Sequence, residues 1–149
     1  MQITLSELDF DYKTKAEVAM HQLEWAIWFF IEKKDDICAA TLAGAAEEIY
    51  GKLAEQRGKK SMQTEHVESC LDLLKCAGHS LPRAAEIKDY MNYLRNALKH
   101  CDKAHSTEGD VLVIRGAAKE IIDRAINNMY GCAIPPSLAV QNYMKESWR

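Results

Sequence analysis

Apolar side chains recur at steps of three and four along most of the chain, and this one periodicity confines the fold to packed helices. The 3 prolines and 7 glycines act as punctuation between helical segments. A first helix is expected over about residues 13–33, with Ala16, Met20, Leu23, Ile27 and Phe30 on one stripe. Val18, Trp25, Trp28 and Phe29 lie about 120 to 160° around the same helix. One core cannot bury both faces, so a second subunit is expected over the aromatic face, a later segment of the same chain being the alternative.

Asp35 or Asp36 caps a second helix that carries Ala39, Leu42, Ala46, Ile49 and Leu53 and stops near Arg57 and Gly58. The small residues from Ala39 to Ala46, with Gly44 and Gly51 seven apart on one face, require a neighbouring helix to come close. Glu47 and Glu48 interrupt this face and read as solvated surface, with ion pairing or a site role as the alternative. The basic turn Arg57, Gly58, Lys59, Lys60 reads as a solvated connection, with phosphate contact as the alternative. A shorter helix over 64–77 turns Val67, Leu71 and Leu74 inward. A third helix is expected from Pro82 to Asp102, with an unbroken seam of Ala84, Ile87, Met91, Leu94, Leu98 and Cys101. After a polar loop over 103–108, a fourth helix carries Ile114, Ala118, Ile121, Ala125 and Met129 and ends at Gly131. Beyond Pro135 and Pro136, a short helix from Ser137 to Trp148 is anchored by Leu138, Tyr143 and Met144.

The expected fold is all-α: an antiparallel, up-and-down four-helix bundle with additional short helices. It forms a single domain over 1–149, with its core at about 13–131 and the C-terminal helix at 136–148. At 149 residues and 48% hydrophobic, the chain can build one core without disulfides or a structural metal. Nineteen Lys plus Arg against 22 Asp plus Glu give a net charge of −3, which excludes coating of nucleic acid through bulk charge; any RNA or DNA site must be local. No apolar run is long enough to span a membrane, and the acidic stretch from Met1 to Asp11 lacks the features of a secretion signal, so the cytoplasm is expected. The 5 cysteines, Cys38, Cys70, Cys76, Cys101 and Cys132, form no CxxC pair and read as reduced, buried thiols. A zinc site from Cys76, His79, His100 and His105 is the weaker alternative, and no cofactor is expected.

The third helix holds the residues best suited to chemistry. Asn96 lies about 180° from its seam, His100 about 140° and Arg95 about 80°, and none of the three is needed for packing. Asn96 and His100 continue a surface line through Asp89 and Tyr93. The hexad Arg95-Asn96-x-x-x-His100, within Leu94-Arg95-Asn96-Ala97-Leu98-Lys99-His100, resembles the signature of the HEPN superfamily (higher eukaryotes and prokaryotes nucleotide-binding domain). The stretch from Ala40 to Ile49 and the segment from Ile121 to Asn127 also look like a bacterial branch of these domains, so that the resemblance covers about residues 13–131.

The resemblance implies a homodimer whose motif faces meet in a composite cleft, and a metal-independent endoribonuclease, in the manner of toxin or defence components, that cleaves single-stranded RNA. In that reading His100 moves the proton and Arg95 holds the phosphate. Asn96 orients the histidine or hydrogen-bonds a phosphate oxygen, Tyr93 stacks on a base, and Lys99 and Lys103 contact substrate. It also implies a nucleotidyltransferase-type antitoxin partner, which modifies a Tyr two positions after the motif histidine in some members; Asp102 stands there instead. Asp102 and Glu108 add negative charge that Lys99 and Lys103 roughly offset, so weak RNA affinity is expected. The rival reading is a non-catalytic HEPN-like module that binds a nucleotide or a partner protein through the same face.

Overall fold

Residues 13–99, 113 and 115–147 are described by a computed structural model, and among them the chain is all-α. The elements in order are α1 (Lys15–Trp28), a π-helical turn (Phe29–Lys33), α2 (Asp36–Gln56), α3 (Met62–Cys76), α4 (Ala84–Met91), α5 (Tyr93–Lys99), α6 (Arg115–Gly131) and α7 (Leu138–Ser147). None of these helices is long and apolar enough to cross a membrane.

The central position of α2 follows from its small residues. It packs most extensively against α6 and α1, with α5 against its middle. Ala39, Ala40, Ala43, Ala46 and Ala54 are fully buried there, together with Gly44 and Gly51. A Cβ at Gly51 would lie 3.2 Å from the Asn128 amide on α6. The expectation that this face draws a neighbour in close is met. From α6 come Ala118, Ile121, Ile122, Ala125, Ile126 and Met129, and from α1 come Ala19, Leu23, Ala26 and Ile27.

Local chemistry fixes the helix ends. Thr14 and Glu17 form a reciprocal capping box at the start of α1. The π-helical turn closes this segment, Lys34 adopts a φ of 55°, and the Asp35 side chain then accepts from the backbone N–H groups of Ile37 and Cys38. Arg115, at the start of α6, clips this corner: its guanidinium binds Asp36 at 2.8 Å and the Phe30 carbonyl at 3.0 Å, over the Phe30 ring. The Cys132 thiol donates to the Tyr50 carbonyl, and the Tyr143 hydroxyl, buried on α7, donates to Asp123 at 2.8 Å. Burial and that bond together push the Tyr143 phenol far above its ordinary range.

Three expectations need correction. The third helix is not continuous: Asn92 interrupts it between α4 and α5, and α4 packs chiefly on α3 and buries no residue. Of the supposed seam only Leu94 is buried; Ala84 is exposed, Ile87, Met91 and Leu98 are half-buried, and Cys101 lies outside the described residues. In α7 the inward stripe is Val140, Tyr143 and Met144, while Leu138 is 70% exposed because it sits two positions, about 200°, before Val140. Cys70 and Cys76 are exposed on α3 and Cys38 is half-buried, leaving Cys132 as the buried thiol among the described residues. On the aromatic face, Trp25 and Trp28 stay 44% and 38% exposed, stacked edge to face at 5.2 Å, Val18 and Phe29 are half-buried, and α7 flanks Trp28 with Ala139 and Asn142. The loop over 103–108 and Ile114 lie outside the described residues.

The bonds from the Cys38 and Ile37 backbone hold the Asp35 carboxyl below its usual range. Its stabilising effect is therefore present above the ordinary carboxylate pKa and is lost as pH falls through the lowered one. Asp35→Asn keeps an equivalent cap without a titrating group. Urea melts from pH 7 to pH 3 should show the variant matching the parent at neutral pH and losing stability less steeply in acid; parallel acid limbs would refute this.

Candidate functional site

Glu47 lies on the same face of α2 as Ala43, Gly44 and Gly51, at spacings of four, three and four, so the helices that approach those small residues also enclose its carboxylate. It is 3% exposed. A lone carboxylate there would be strongly disfavoured, and two guanidiniums make it tenable. Arg95 on α5 places Nη1 3.2 Å from Glu47 Oε2. Arg124 on α6, 1% exposed, places Nε 3.2 Å from Oε1.

Arg124 is the more fully engaged of the two. Its Nη1 donates to the Met91 carbonyl at 3.3 Å and to Glu120 at 3.1 Å, and its Nη2 donates to the Asn92 side chain at 3.3 Å. These bonds account for the break between α4 and α5, where the carbonyl of Met91 and the amide of Asn92 turn to a cation on α6. Asn128, one turn beyond Arg124, donates to the Glu47 carbonyl at 3.2 Å and accepts from the Met62 backbone N–H at 2.7 Å. The acid and the two arginines thus tie α2, α5 and α6 together, and the amides extend the network to α3 and the α4–α5 junction.

Arg95 reaches Glu47 across the top of Gly44. A Cβ at that glycine would stand 2.7 and 2.8 Å from Cγ and Cδ of Arg95, so the stem lies flat on the α2 backbone because no side chain is there. The guanidinium then borders a cleft of about 250 Å³ whose walls include Glu48, Glu55, Lys52, Lys88, Ser61 and Gln63. Every carboxylate of this cleft has a partner. Glu47 has its two arginines, Glu55 accepts from the Ser61 hydroxyl at 2.8 Å, and Glu48 pairs with Lys52 at 3.0 Å and Lys99 at 3.5 Å. The hydrogen bond from Lys52 is the largest influence holding the Glu48 carboxyl below its usual range. Three buried nitrogens of this network, Nε of Arg95, Nε of Arg124 and Nε2 of Gln63, have no hydrogen-bond acceptor. Those nitrogens are enclosed; what the cleft offers a guest is the edge of Arg95 together with Lys52 and Lys88, a set that suits oxygen acceptors and negative charge.

Among the residues singled out from sequence, Arg95 borders the cleft, but as one partner of a buried ion pair rather than as a side chain without structural duty. Asn96 is half-buried beside it, Tyr93 is 42% exposed, and Lys99 reaches Glu48. His100, Asp102, Lys103 and Glu108 lie outside the described residues. Glu47 is not the solvated residue expected of a mid-helix acid; its alternative as a charge partner holds, while Glu48 is the exposed one. Arg124, Asn92, Asn128 and Gln63 were missed. The sequence carried a signal for two of them: Arg124 and Asn128 share the inward stripe of Ile121 and Ala125 at steps of three and four, and polar residues on a buried stripe call for buried partners. Among the described residues no group of three His, Cys, Asp or Glu is arranged to hold a metal; Cys76 and His79 are exposed, and His105 lies outside the described residues. Comparison with protein-family models, with curated proteins and with solved structures returns no match for this chain.

Glu47→Gln leaves Arg95 without its carboxylate and Arg124 with only the exposed Glu120 as counterion, and should cost about 3 kcal/mol of stability. Glu47→Leu combined with Arg95→Met and Arg124→Met removes all three charges and should recover most of that loss. Urea unfolding of the parent and these two variants checks this; a triple variant no more stable than Glu47→Gln would contradict it.

Proposed function

We propose that this protein is a HEPN-like, metal-independent endoribonuclease that binds a phosphodiester of single-stranded RNA at Arg95. The observation that carries the reading is the Arg95 side chain laid over Gly44 at the edge of a cleft in which every carboxylate already has a partner. The hexad Arg95-Asn96-x-x-x-His100 supplies the residues for the reaction. The ribose 2′-oxygen attacks phosphorus, the bond from phosphorus to the 5′-oxygen breaks, and the products are a 2′,3′-cyclic phosphate and a 5′-hydroxyl. His100, whose ordinary pKa lies near neutrality, takes the 2′ proton or delivers one to the leaving oxygen. Arg95, anchored through one edge by Glu47, uses its remaining donors on the phosphate oxygens as charge builds in the transition state. Asn96 orients His100, and Tyr93, on the exposed face one turn before Ala97, stacks on a base.

The active form is a homodimer of two antiparallel, up-and-down four-helix bundles, acting in the cytoplasm as a toxin or defence component, with its site composed at the subunit interface. The uncovered pair Trp25 and Trp28 supports a second subunit. That same uncovered face also favours the rival reading, a non-catalytic module that holds a nucleotide or partner protein. RNA cleavage separates the two.

Purified protein with EDTA should cut a mixed single-stranded RNA and leave 2′,3′-cyclic phosphate ends. His100→Ala should lower the rate about 10²–10⁴-fold and Arg95→Ala about 10²–10³-fold. Gly44→Ala displaces the Arg95 stem without removing its charge and should cost about 10²-fold at unchanged helix content. Absence of cutting by a folded wild-type dimer across several RNAs would transfer the assignment to the binding module; full activity of Gly44→Ala would remove Arg95 positioning from the mechanism.

A further inference from the structure

Behind the Arg95 cleft, across a ridge formed by Glu48 and Lys52, lies a second depression of about 400 Å³. Its floor is aliphatic, with Ile49 and Leu53 of α2, and ammonium groups stand around it on three different helices: Lys15 on α1, Lys52 on α2 and Lys99 on α5. The two depressions share the ridge, and together they set the cations of Lys88, Arg95, Lys52, Lys99 and Lys15 around two adjoining hollows. Such an arrangement suits a linear polyanion whose charges repeat at intervals better than it suits a single anion. The one acid on the ridge, Glu48, bridges Lys52 and Lys99, and so holds the cations that an incoming phosphate would take.

We propose that this second depression is the subsite for the nucleotide flanking the scissile phosphate: the sugar and base lie over Ile49 and Leu53, the next phosphate binds Lys15 and Lys99, and Glu48 is displaced from its lysines as the strand docks. This rests on the Arg95 reading and extends it by giving the strand a path over the α2 face. The path predicts opposite responses from two exposed residues outside the chemistry. Removing Lys15 weakens binding, whereas neutralising Glu48 frees two lysines and tightens it.

The test uses a fluorescein-labelled 2′-O-methyl octaribonucleotide, which lacks the attacking hydroxyl, so binding is read without cleavage. Anisotropy is followed across a salt series. Lys15→Ala should lower affinity about eightfold at about 50 mM salt and reduce the slope of log affinity against log salt by about 0.7. Glu48→Gln should raise both affinity and slope. A dinucleotide of the same chemistry, spanning the Arg95 cleft alone, should respond to Arg95→Ala and be indifferent to Lys15→Ala. If octamer binding is unchanged in Lys15→Ala and Glu48→Gln but falls in Arg95→Ala, the subsite is wrong and the Arg95 reading stands. If wild-type protein binds neither probe, both fall. Displacement of the octamer by an oligoglutamate of equal charge at equal concentration would also overturn the subsite, in favour of an acidic peptide.

Discussion

A carboxylate enclosed in the middle of the central helix, between guanidiniums from two other helices, is the constraint on which the rest of this structure depends. Glu47 is 3% exposed and Arg124 1% exposed, and each is held by the other together with one further charge, Arg95 for the acid and Glu120 for the arginine. Their pairing dictates how close α2 and α6 stand, draws Met91 and Asn92 out of a continuous helix, and leaves α5 as a separate short element whose first arginine reaches the same acid. Burying such a cluster is a poor way to gain stability and a good way to fix geometry, because an ion pair with several directed bonds admits few alternative packings.

The glycines serve this geometry. Gly44 is not needed for a turn or for an unusual backbone angle; it is needed because the stem of Arg95 occupies the space that a methyl group would fill. Gly51 plays the same part for Asn128 and Ser61. The stripe that lets α2 pack closely therefore also brings a charged side chain flat against it, with the guanidinium at the edge of a cleft rather than extended into solvent. An arginine held in this way loses little freedom on meeting a phosphate, which is the benefit of a preorganised donor over a mobile surface lysine.

Much of this could be read from the chain, and what could not has a physical cause. Periodicity locates α1, α2 and α6, and in α6 the apolar stripe and the core coincide; in α2 the expected Leu42, Ile49 and Leu53 are half-buried, and the buried face is the small residues with Glu47 and Tyr50. It fails over 82–102, where a regular seam from Ala84 to Leu98 suggested one helix. Spacing cannot register that Arg124, distant in sequence, competes for the backbone and side chain at positions 91 and 92. It fails again at Leu138, where hydrophobicity was taken for burial although the stripe through Val140 and Tyr143 points the other way. Arg95 was identified, but for its neighbours Asn96 and His100 rather than for its bond to Glu47. The acid itself was weighed as surface because isolated sequence gives no measure of a tertiary partner. Arg124 and Asn128 were legible in principle, as polar residues on a buried stripe.

The central claim is that Glu47 divides the labour of two arginines, locking Arg124 into the fold and presenting Arg95 to an anion. Nitrogen-resolved NMR of the arginine Nε–Hε groups tests it directly, with uridine monophosphate titrated into labelled protein. The expected result is that the Arg95 Nε–Hε resonance shifts on titration while that of Arg124, whose Nε lies 3.2 Å from Glu47, stays unshifted. Shifts of both resonances, or of neither, would contradict it.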